Sequence, residues 1–415
     1  MTARAMPSSP PGNPLSTPLA ARTPLTGLPL LEDLPPLEGK RVLVRADFNV
    51  PLEPGADGGP ARIEDDFRIR AALPTLEWLA AQGASVTACT HLGRPKGLPD
   101  PRYDIEPVRA RLAELAPEVT LLQNLRFDAG EEANDPHFVD RLVTGFDAYV
   151  NDAFASSHRS HASIVGPPSL LPSAAGRLLA REVEMVGSLL GAPAAPFVAV
   201  VGGAKVADKL GVLRALLRRV DRLLVGGAMA FTLLDAQGHQ VGRSLVDAEE
   251  IDACKELLEM AAEQIVLPCD LVVLAPGGTI GVGQEGTGDV AIVGTDVSDG
   301  WDGVDIGPET RRAFAEVLAG AGTVFWNGPL GAFEDPRFAA GTAAVAAAIA
   351  SGTAFSVVGG GDTTAALDAL GLADRVTFVS TGGGACLDLL EHGDLPGLHA
   401  LRGAPNAPQH ARTVP

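Results

Sequence analysis

From Gly39 onward, short runs of β-branched and other apolar residues alternate with stretches whose apolar positions recur every three to four residues. The short runs predict strands at 41–48, 84–90, 119–123, 147–151, 196–201, 222–225, 264–274, 323–326, 353–358 and 375–380. The helical spacing is clear at Val206, Leu210, Leu213, Leu217 and Val220, which form one stripe. Strands alternating with helices argue for an α/β protein with parallel sheets covered on both faces. Ten strands suit two sheets better than one. The join is expected where a helical stretch, 178–190, runs into Gly-Ala-Pro-Ala-Ala-Pro196. Ligands of open α/β sheets bind beyond the carboxyl ends of the strands, so the residues at those ends carry the functional argument.

In the second half those ends are glycine-rich. They read Val-Val-Gly-Gly-Ala-Lys205, Leu-Val-Gly-Gly-Ala228, Phe-Trp-Asn-Gly-Pro329, Val-Val-Gly-Gly-Gly-Asp362 and Val-Ser-Thr-Gly-Gly-Gly384. Glycine lets a backbone approach a ligand closely, and the N–H groups of a following helix favour an anion. A carboxylate at such a place, Asp362, fits a cation shared with phosphate oxygens, as Mg2+ prefers. The plainer alternative is a tight strand-to-helix turn capped by Asp362. Lys205 and Lys209 lie four residues apart at an expected helix start, and the spacing puts both on one face around an anion. Gly281-Val-Gly-Gln-Glu-Gly286 matches a dinucleotide fingerprint, but Thr-Gly-Asp-Val-Ala-Ile-Val follows, which reads as strand and turn rather than helix. It is taken as a hairpin.

The first half offers cations instead. Arg68 follows Asp65-Asp66, His91 and Arg94 follow one strand, Arg126 another, and His158 and Arg159 a fourth. Arginine forks match phosphate and carboxylate oxygens. Each alone reads as a surface ion pair; four at successive strand ends read as an anion cradle. Asp47 and Asn49 are candidates to accept from a substrate hydroxyl, or to shape the turn before Pro51.

Composition narrows the partners. The chain of 415 residues carries a formal charge of -19, which disfavours nucleic acid and anionic membranes. The cysteines (Cys89, Cys254, Cys269, Cys386) are scattered, without zinc spacing, which fits a reducing cytoplasm. No apolar run is long enough for a membrane span. Residues 1–36 are rich in Pro, Ser, Thr and Ala and are expected to be a disordered extension; a transit peptide or a mis-assigned start are the other readings.

The chain closely resembles phosphoglycerate kinases. The segments that carry the likeness are Arg45-Ala-Asp-Phe-Asn-Val-Pro51, His91-Leu-Gly-Arg-Pro95, Leu125-Arg-Phe127, Tyr149-Val-Asn-Asp-Ala-Phe154, Leu171-Pro-Ser-Ala-Ala-Gly176, Gly202-Gly-Ala-Lys-Val-Ala-Asp-Lys209, Phe325-Trp-Asn-Gly-Pro329, Gly359-Gly-Gly-Asp-Thr363 and Ser380-Thr-Gly-Gly-Gly-Ala385. They occur in family order. Gln123 in place of an acid, Ala228 in place of a third glycine, and residues 1–36 depart from the pattern.

The resemblance implies two similar-sized Rossmann-like domains, 37–177 and 196–394. An interdomain helix and hinge, 178–195, would join them, and 395–415 would return to the first domain. Asp47, Asn49, Arg68, His91, Arg94, Arg126 and Arg159 would hold 3-phosphoglycerate or 1,3-bisphosphoglycerate. Gly203, Lys205, Lys209, Gly227, Asn327, Glu334 and Gly359, Gly360, Gly361, Asp362 and Thr363 would hold ADP or ATP, with Mg2+ on Asp362. Arg68, Lys205, Lys209 and the backbone of Gly361 and Gly384 would stabilise the transferring phosphoryl group. A monomer is implied. The rival readings are a nicotinamide-dependent oxidoreductase, which needs the Gly281 match to be real, and a non-catalytic anion-binding protein.

Overall fold

The computed structural model describes residues 26–53, 61–282 and 284–408. In the first half, strands β1 (Arg41–Arg45), an antiparallel pair of two-residue strands β2 (Leu52–Glu53) and β3 (Arg62–Ile63), β4 (Ser85–Cys89), β5 (Thr120–Leu121), β6 (Ala148–Asn151) and β7 (Ser173–Ala175) follow in order. The second half adds β8 (Phe197–Val201), β9 (Arg222–Val225), β10 (Ile265–Val266), β11 (Leu271–Leu274), β12 (Val290–Val293), β13 (Asp302–Ile306), β14 (Thr323–Asn327), β15 (Phe355–Gly359) and β16 (Phe378–Val379).

Two parallel sheets result, ordered β5-β4-β1-β6-β7 and β10-β9-β8-β14-β15-β16. Every residue of β8 and β14 is buried, as the apolar runs require when helices cover both faces. Strand order reverses beside β1 in the first sheet and between β8 and β14 in the second. Such switch points open a crevice at the strands' carboxyl ends.

Three features differ from the sequence expectation. The run 264–274 is two strands: β10 ends the large sheet, while β11 joins an antiparallel sheet of order β12-β11-β13. Pro268, which has no N–H to donate, lies at the break, and beyond it Asp270 turns to the helix Pro308–Ala319, accepting from Glu309 N and Thr310 N. The strands β7 and β13, short or polar, carried no apolar run to reveal them. The third difference concerns the expected extension 1–36. Residues 1–25 lie outside the described set, but 26–36 pack. Leu28 and Leu31 are buried, and Leu30 bridges Ala175 beside β7. Glu32 pairs with Arg177. The prolines there shape a packed entry rather than prevent one.

The residues flanking the Gly281 match pair as the expected hairpin, and Gly283 within it lies outside the described residues. Thr279 and Thr287 bridge antiparallel, Gly281 N donates to Asp335 Oδ2 at 2.8 Å, and the next element is β12, not a helix.

The connecting helix Arg177–Ser188 lies between the sheets and buries Leu179, Val183, Met185 and Val186. Its first turn is held by Asp152 Oδ1, which accepts from Leu178 N at 2.9 Å and Leu179 N at 3.2 Å. Further along, Glu182 accepts from Ser380 Oγ (2.7 Å), Thr381 N (2.6 Å) and Thr381 Oγ1 (2.7 Å), tying the helix to the turn after β16. Near the chain's end, Gly397 N donates to Ser157 O at 2.9 Å, and Asn406 Oδ1 accepts from Ser173 N at 2.8 Å.

Candidate functional site

Beyond β1, β4 and β6 lies a cradle of about 280 Å3. Its walls include Asp47, Asn49, Arg68, His91, Arg94, Arg126 and Arg159, so all seven candidates from the first half meet at one place. Its far wall comes from the second half: Thr381, Gly383 and Gly384. Arg68 spans the two, donating to Asp47 Oδ2 at 2.6 Å and to Thr381 O at 3.4 Å.

The acceptors expected for a substrate hydroxyl are already partly engaged. Asp47 Oδ1 accepts from Asn49 N at 3.0 Å, and Asn49 Oδ1 accepts from Gly93 N at 2.8 Å. Burial works to raise the Asp47 pKa, but Arg68, Arg45 and the N–H of Asn49 outweigh it and hold the carboxyl below its ordinary value. Asp47 therefore stays an anion that orients Arg68. Arg126 donates to Gly93 O at 2.7 Å and pairs with Glu132. Burial lowers the pKa values of His91, His158 and His161, the last to about 4, with neighbouring arginines adding to the effect. The histidines of this cradle are thus neutral at pH 7, and its positive charge is that of arginine alone.

At the switch point of the second sheet lies a cleft of about 320 Å3 lined by Gly203, Lys205, Lys209, Asn327 and Gly360, Gly361, Asp362 and Thr363. It adjoins a larger pocket of about 450 Å3, with Gly203 and Asp362 shared, reaching Gly227, Phe231, Leu271 and Glu334. A glycine-walled cleft carrying two lysines thus leads into a mostly apolar slot. Gly359 is the candidate that does not line it: it ends β15, and Asn327 Nδ2 donates to its carbonyl at 2.9 Å. Thr363 Oγ1 likewise accepts from Gly328 N at 2.7 Å. These two polar side chains shape the glycine turns. Gly360 has φ of 104°, a left-handed value that glycine alone adopts without strain, and it starts the helix Gly361–Ala369. Asp362 stands in that helix's first turn, exposed to the cleft; the turn is begun by Gly360, not capped by the carboxylate.

The two lysines do not share a helix face. A single 3-10 turn, Ala207–Lys209, precedes the helix Leu210–Leu217, and Lys205 lies outside both, in the exposed loop after Gly203. Glycine at 202–203 lets the loop turn across the cleft before any helix forms. Lys209 Nζ is drawn inward, donating to Gly202 O at 2.6 Å and Asn327 Oδ1 at 3.0 Å. Burial lowers its pKa to about 8, against the attraction of Asp362 and Asp208.

The cradle and the cleft touch. A Cβ added at Gly383 would lie 3.0 Å from Gly360 Cα. The N-terminus of the helix Gly383–His392 therefore abuts the glycine turn of the neighbouring helix. Another cavity, about 920 Å3, lies apart, beside β3 and the helix Glu106–Leu115, lined by the carboxylates Asp65, Asp66, Asp104 and Glu114 and by Arg62, Arg70 and Arg111. Two of those arginines, Arg70 and Arg111, are paired with Asp66.

Sequence reasoning overlooked Arg45, Glu131, Asp152 and Glu182 as supports of these sites. All four are buried charged residues. The signal open to it was Arg45, a cation directly after the apolar run Val42–Val44 of β1.

The phosphoglycerate kinase family model matches residues 31–121 and 116–393. A phosphoglycerate kinase of Frankia casuarinae is 49% identical over 397 residues, covering 88% of this chain and 97% of the relative. That of Deinococcus radiodurans is 44% identical over 416 residues, covering 94% and 97%. Among solved structures, phosphoglycerate kinase from Coxiella burnetii superposes with a TM-score of 0.78 at 38% identity, over 88% of this chain and 97% of that one. The Pyrococcus horikoshii enzyme gives 0.78 at 31%, over 91% and 99%. With matching segments in order along both halves, two parallel sheets and an arginine-lined cradle against a glycine-walled cleft, the chain belongs to the phosphoglycerate kinase family.

Proposed function

We propose that the arginine cradle binds 3-phosphoglycerate or 1,3-bisphosphoglycerate and that the glycine-walled cleft binds ADP or ATP. The family's activity is reversible phosphoryl transfer between these partners. The observation that carries the assignment is the contact of Gly383 with Gly360, which puts the end of the cradle against the start of the phosphate cleft. Side chains at those two positions would stand between donor and acceptor.

Toward 1,3-bisphosphoglycerate, the nucleophile is a carboxylate already ionised at pH 7, so no general base is needed. The chemistry then calls for alignment and for stabilisation of charge on the moving phosphoryl group. Arg68 from the cradle, Lys205 and Lys209 from the cleft, and the backbone N–H groups of Gly361 and Gly384 would supply it. Arg94, Arg126, Arg159 and His91 hold the phosphoglycerate, with Asp47 and Asn49 fixing the turn behind them. Gly203, Gly227 and Glu334 border the nucleoside, and Asn327, Gly359 and Thr363 hold the turns that face its phosphates. Domain closure would bring the halves together and exclude water.

Among the described residues, no three His, Cys, Asp or Glu side chains gather as a metal cage. Two exposed carboxylates, Asp208 and Asp362, line this cleft, which fits Mg2+, an ion that keeps its waters and takes one or two carboxylates plus phosphate oxygens. Asp362 would hold it, and the ion would neutralise charge on the nucleotide phosphates.

The same reading divides the chain into 37–177 and 196–394, with 178–195 as interdomain helix and hinge. It returns 395–415 to the first domain, in keeping with the bonds of Gly397 and Asn406 to Ser157 and Ser173. The packed residues 26–36 join the first domain as well. No helix among the described residues is long and apolar enough to cross a membrane. We take the protein as a cytoplasmic monomer, without nucleic-acid or membrane partners.

The test is ATP consumption with 3-phosphoglycerate, coupled to NADH oxidation through reduction of the acyl phosphate, with Mg2+ and then EDTA. Mg-dependent turnover needing both substrates is expected. Binding of both ligands without turnover would overturn the catalytic assignment.

A further inference from the structure

Behind the cradle, buried polar groups run in a line that none of the roles above uses. It starts at Glu131, which has no exposed surface. Its carboxylate accepts from Ser163 N at 2.9 Å and from Ser163 Oγ at 2.6 Å. Ser163 Oγ in turn accepts from Arg45 Nε at 3.0 Å. Arg45, also wholly buried, donates through Nη1 to Ala46 O and reaches His91 Nδ1 through Nη2 at 3.0 Å. His91 lines the cradle.

The last link has only one chemical reading. A guanidinium carries five N–H donors and no acceptor. Where Arg45 Nη2 meets His91 Nδ1, the arginine must donate, and Nδ1 must carry the lone pair. His91 is therefore the neutral Nε2–H tautomer, and Nε2–H is the group it has to offer an anion in the cradle. A ring with the proton on Nδ1 would set two donors against each other and present an acceptor to an anionic substrate.

Arg45 can hold this arrangement only if its own charge is balanced. A buried guanidinium without a counter-charge is strongly disfavoured. Asp47 also lies in its field but is bound to Arg68. Glu131, one serine away, is the buried anion facing it. Ser163 suits the middle of the line because a hydroxyl donates and accepts at once: its hydrogen goes to Glu131, so its lone pair must face Arg45 Nε. Each bond thus has one direction: Ser163 donates to Glu131, and Arg45 donates to Ser163 and to His91.

We propose that Glu131, acting through Ser163 and Arg45, is a positioning residue that fixes the tautomer and orientation of His91 for binding the phosphoglycerate. It touches no substrate; it acts through the three groups between. The inference rests on the cradle being the phosphoglycerate site.

Two variants test it, Glu131→Gln and Ser163→Ala. The direct readout is the pair of ring-nitrogen shifts of His91, from long-range proton–nitrogen correlation on histidine-labelled protein without substrate. The signal is assigned by its loss in His91→Gln. The parent should show a pyridine-type Nδ1 and a pyrrole-type Nε2. In both variants the two shifts should move toward each other as the tautomers mix. The KM for 3-phosphoglycerate should rise about tenfold, the scale of one hydrogen bond to a charged ligand, with little change for MgATP. A protonated Nδ1 in the parent would overturn the tautomer. A KM rise with unchanged His91 shifts would reduce Glu131 to a packing role and overturn the positioning claim, as would unchanged shifts and KM. Melting temperature and MgADP affinity, read alongside, show that each variant is folded. The nitrogen shifts need no turnover, so an inactive parent with the expected tautomer would refute the kinase assignment and not this line of contacts.

Discussion

Replacing Lys209 by methionine separates the charge of this side chain from its bulk and gives two readouts of opposite sign. Burial has taken its pKa from the ordinary 10.5 to about 8. At ~1.36 kcal/mol per pH unit, that drop means the folded chain is penalised by roughly 3 kcal/mol for carrying the ammonium. The penalty is whole below about pH 8. Between pH 8 and 10.5 the unfolded chain binds a proton that the folded chain has released, so stability rises with pH across that window. Methionine carries no charge and removes the effect. Against this, Gly202 O and Asn327 Oδ1 lose their donor, at about 1 kcal/mol each.

Lys209→Met should therefore be more stable than the parent at pH 7, by about 1 kcal/mol, and lose that advantage by pH 10.5. Its kcat should fall about 100- to 1,000-fold with little change in KM, as when one donor to a transition state is removed. Urea unfolding at pH 7 and pH 10 measures the first effect and the coupled assay the second. A variant with normal kcat would remove Lys209 from the phosphoryl site. A loss of stability at pH 7 that is unchanged at pH 10 would refute the electrostatic argument.

Arg94→Ala should raise the KM for phosphoglycerate roughly 10- to 100-fold, the value of a charged hydrogen bond, and leave that for MgATP unchanged; a selective loss of nucleotide affinity in initial-rate kinetics would reverse the assignment of the two clefts. Gly227→Ala places a Cβ 2.6 Å from Gly203 N at a φ of 65°. Both neighbour and strain are backbone, so denaturant titration should read a loss of at least about 2 kcal/mol, together with weaker nucleotide binding. A fully stable alanine variant would show that the turns at 203 and 227 can part.

The residues of the cradle were legible as a set, because arginine and histidine at successive strand ends have few bland explanations when they recur. The glycine turns were legible for a similar reason: each follows a buried strand, where an exposed side chain is the ordinary choice. Other features left no periodic trace. The strand β13 reads Asp-Gly-Val-Asp-Ile, and its Asp305 accepts from Gly341 N at 2.8 Å instead of facing solvent. The packing of 26–36 hid in a proline-rich run. The lysine pair at 205 and 209 misled, since spacing implies a common face only if the helix has already begun.

What the sequence determined by itself was local: alternating strands and helices, the sites where backbone must be bare, and which half carries the cations. Those properties belong to near neighbours along the chain and survive without knowledge of the fold. Tertiary structure alone decided which strand ends meet. It set Gly360 against Gly383, though 23 positions part them in number (383 − 360) and a strand lies between. It also placed Glu131 behind Arg45 and His91 through Ser163. Burial is a property of the packed whole, and it is burial that lowers the Lys209 pKa, keeps the cradle histidines neutral and gives a single carboxylate such reach.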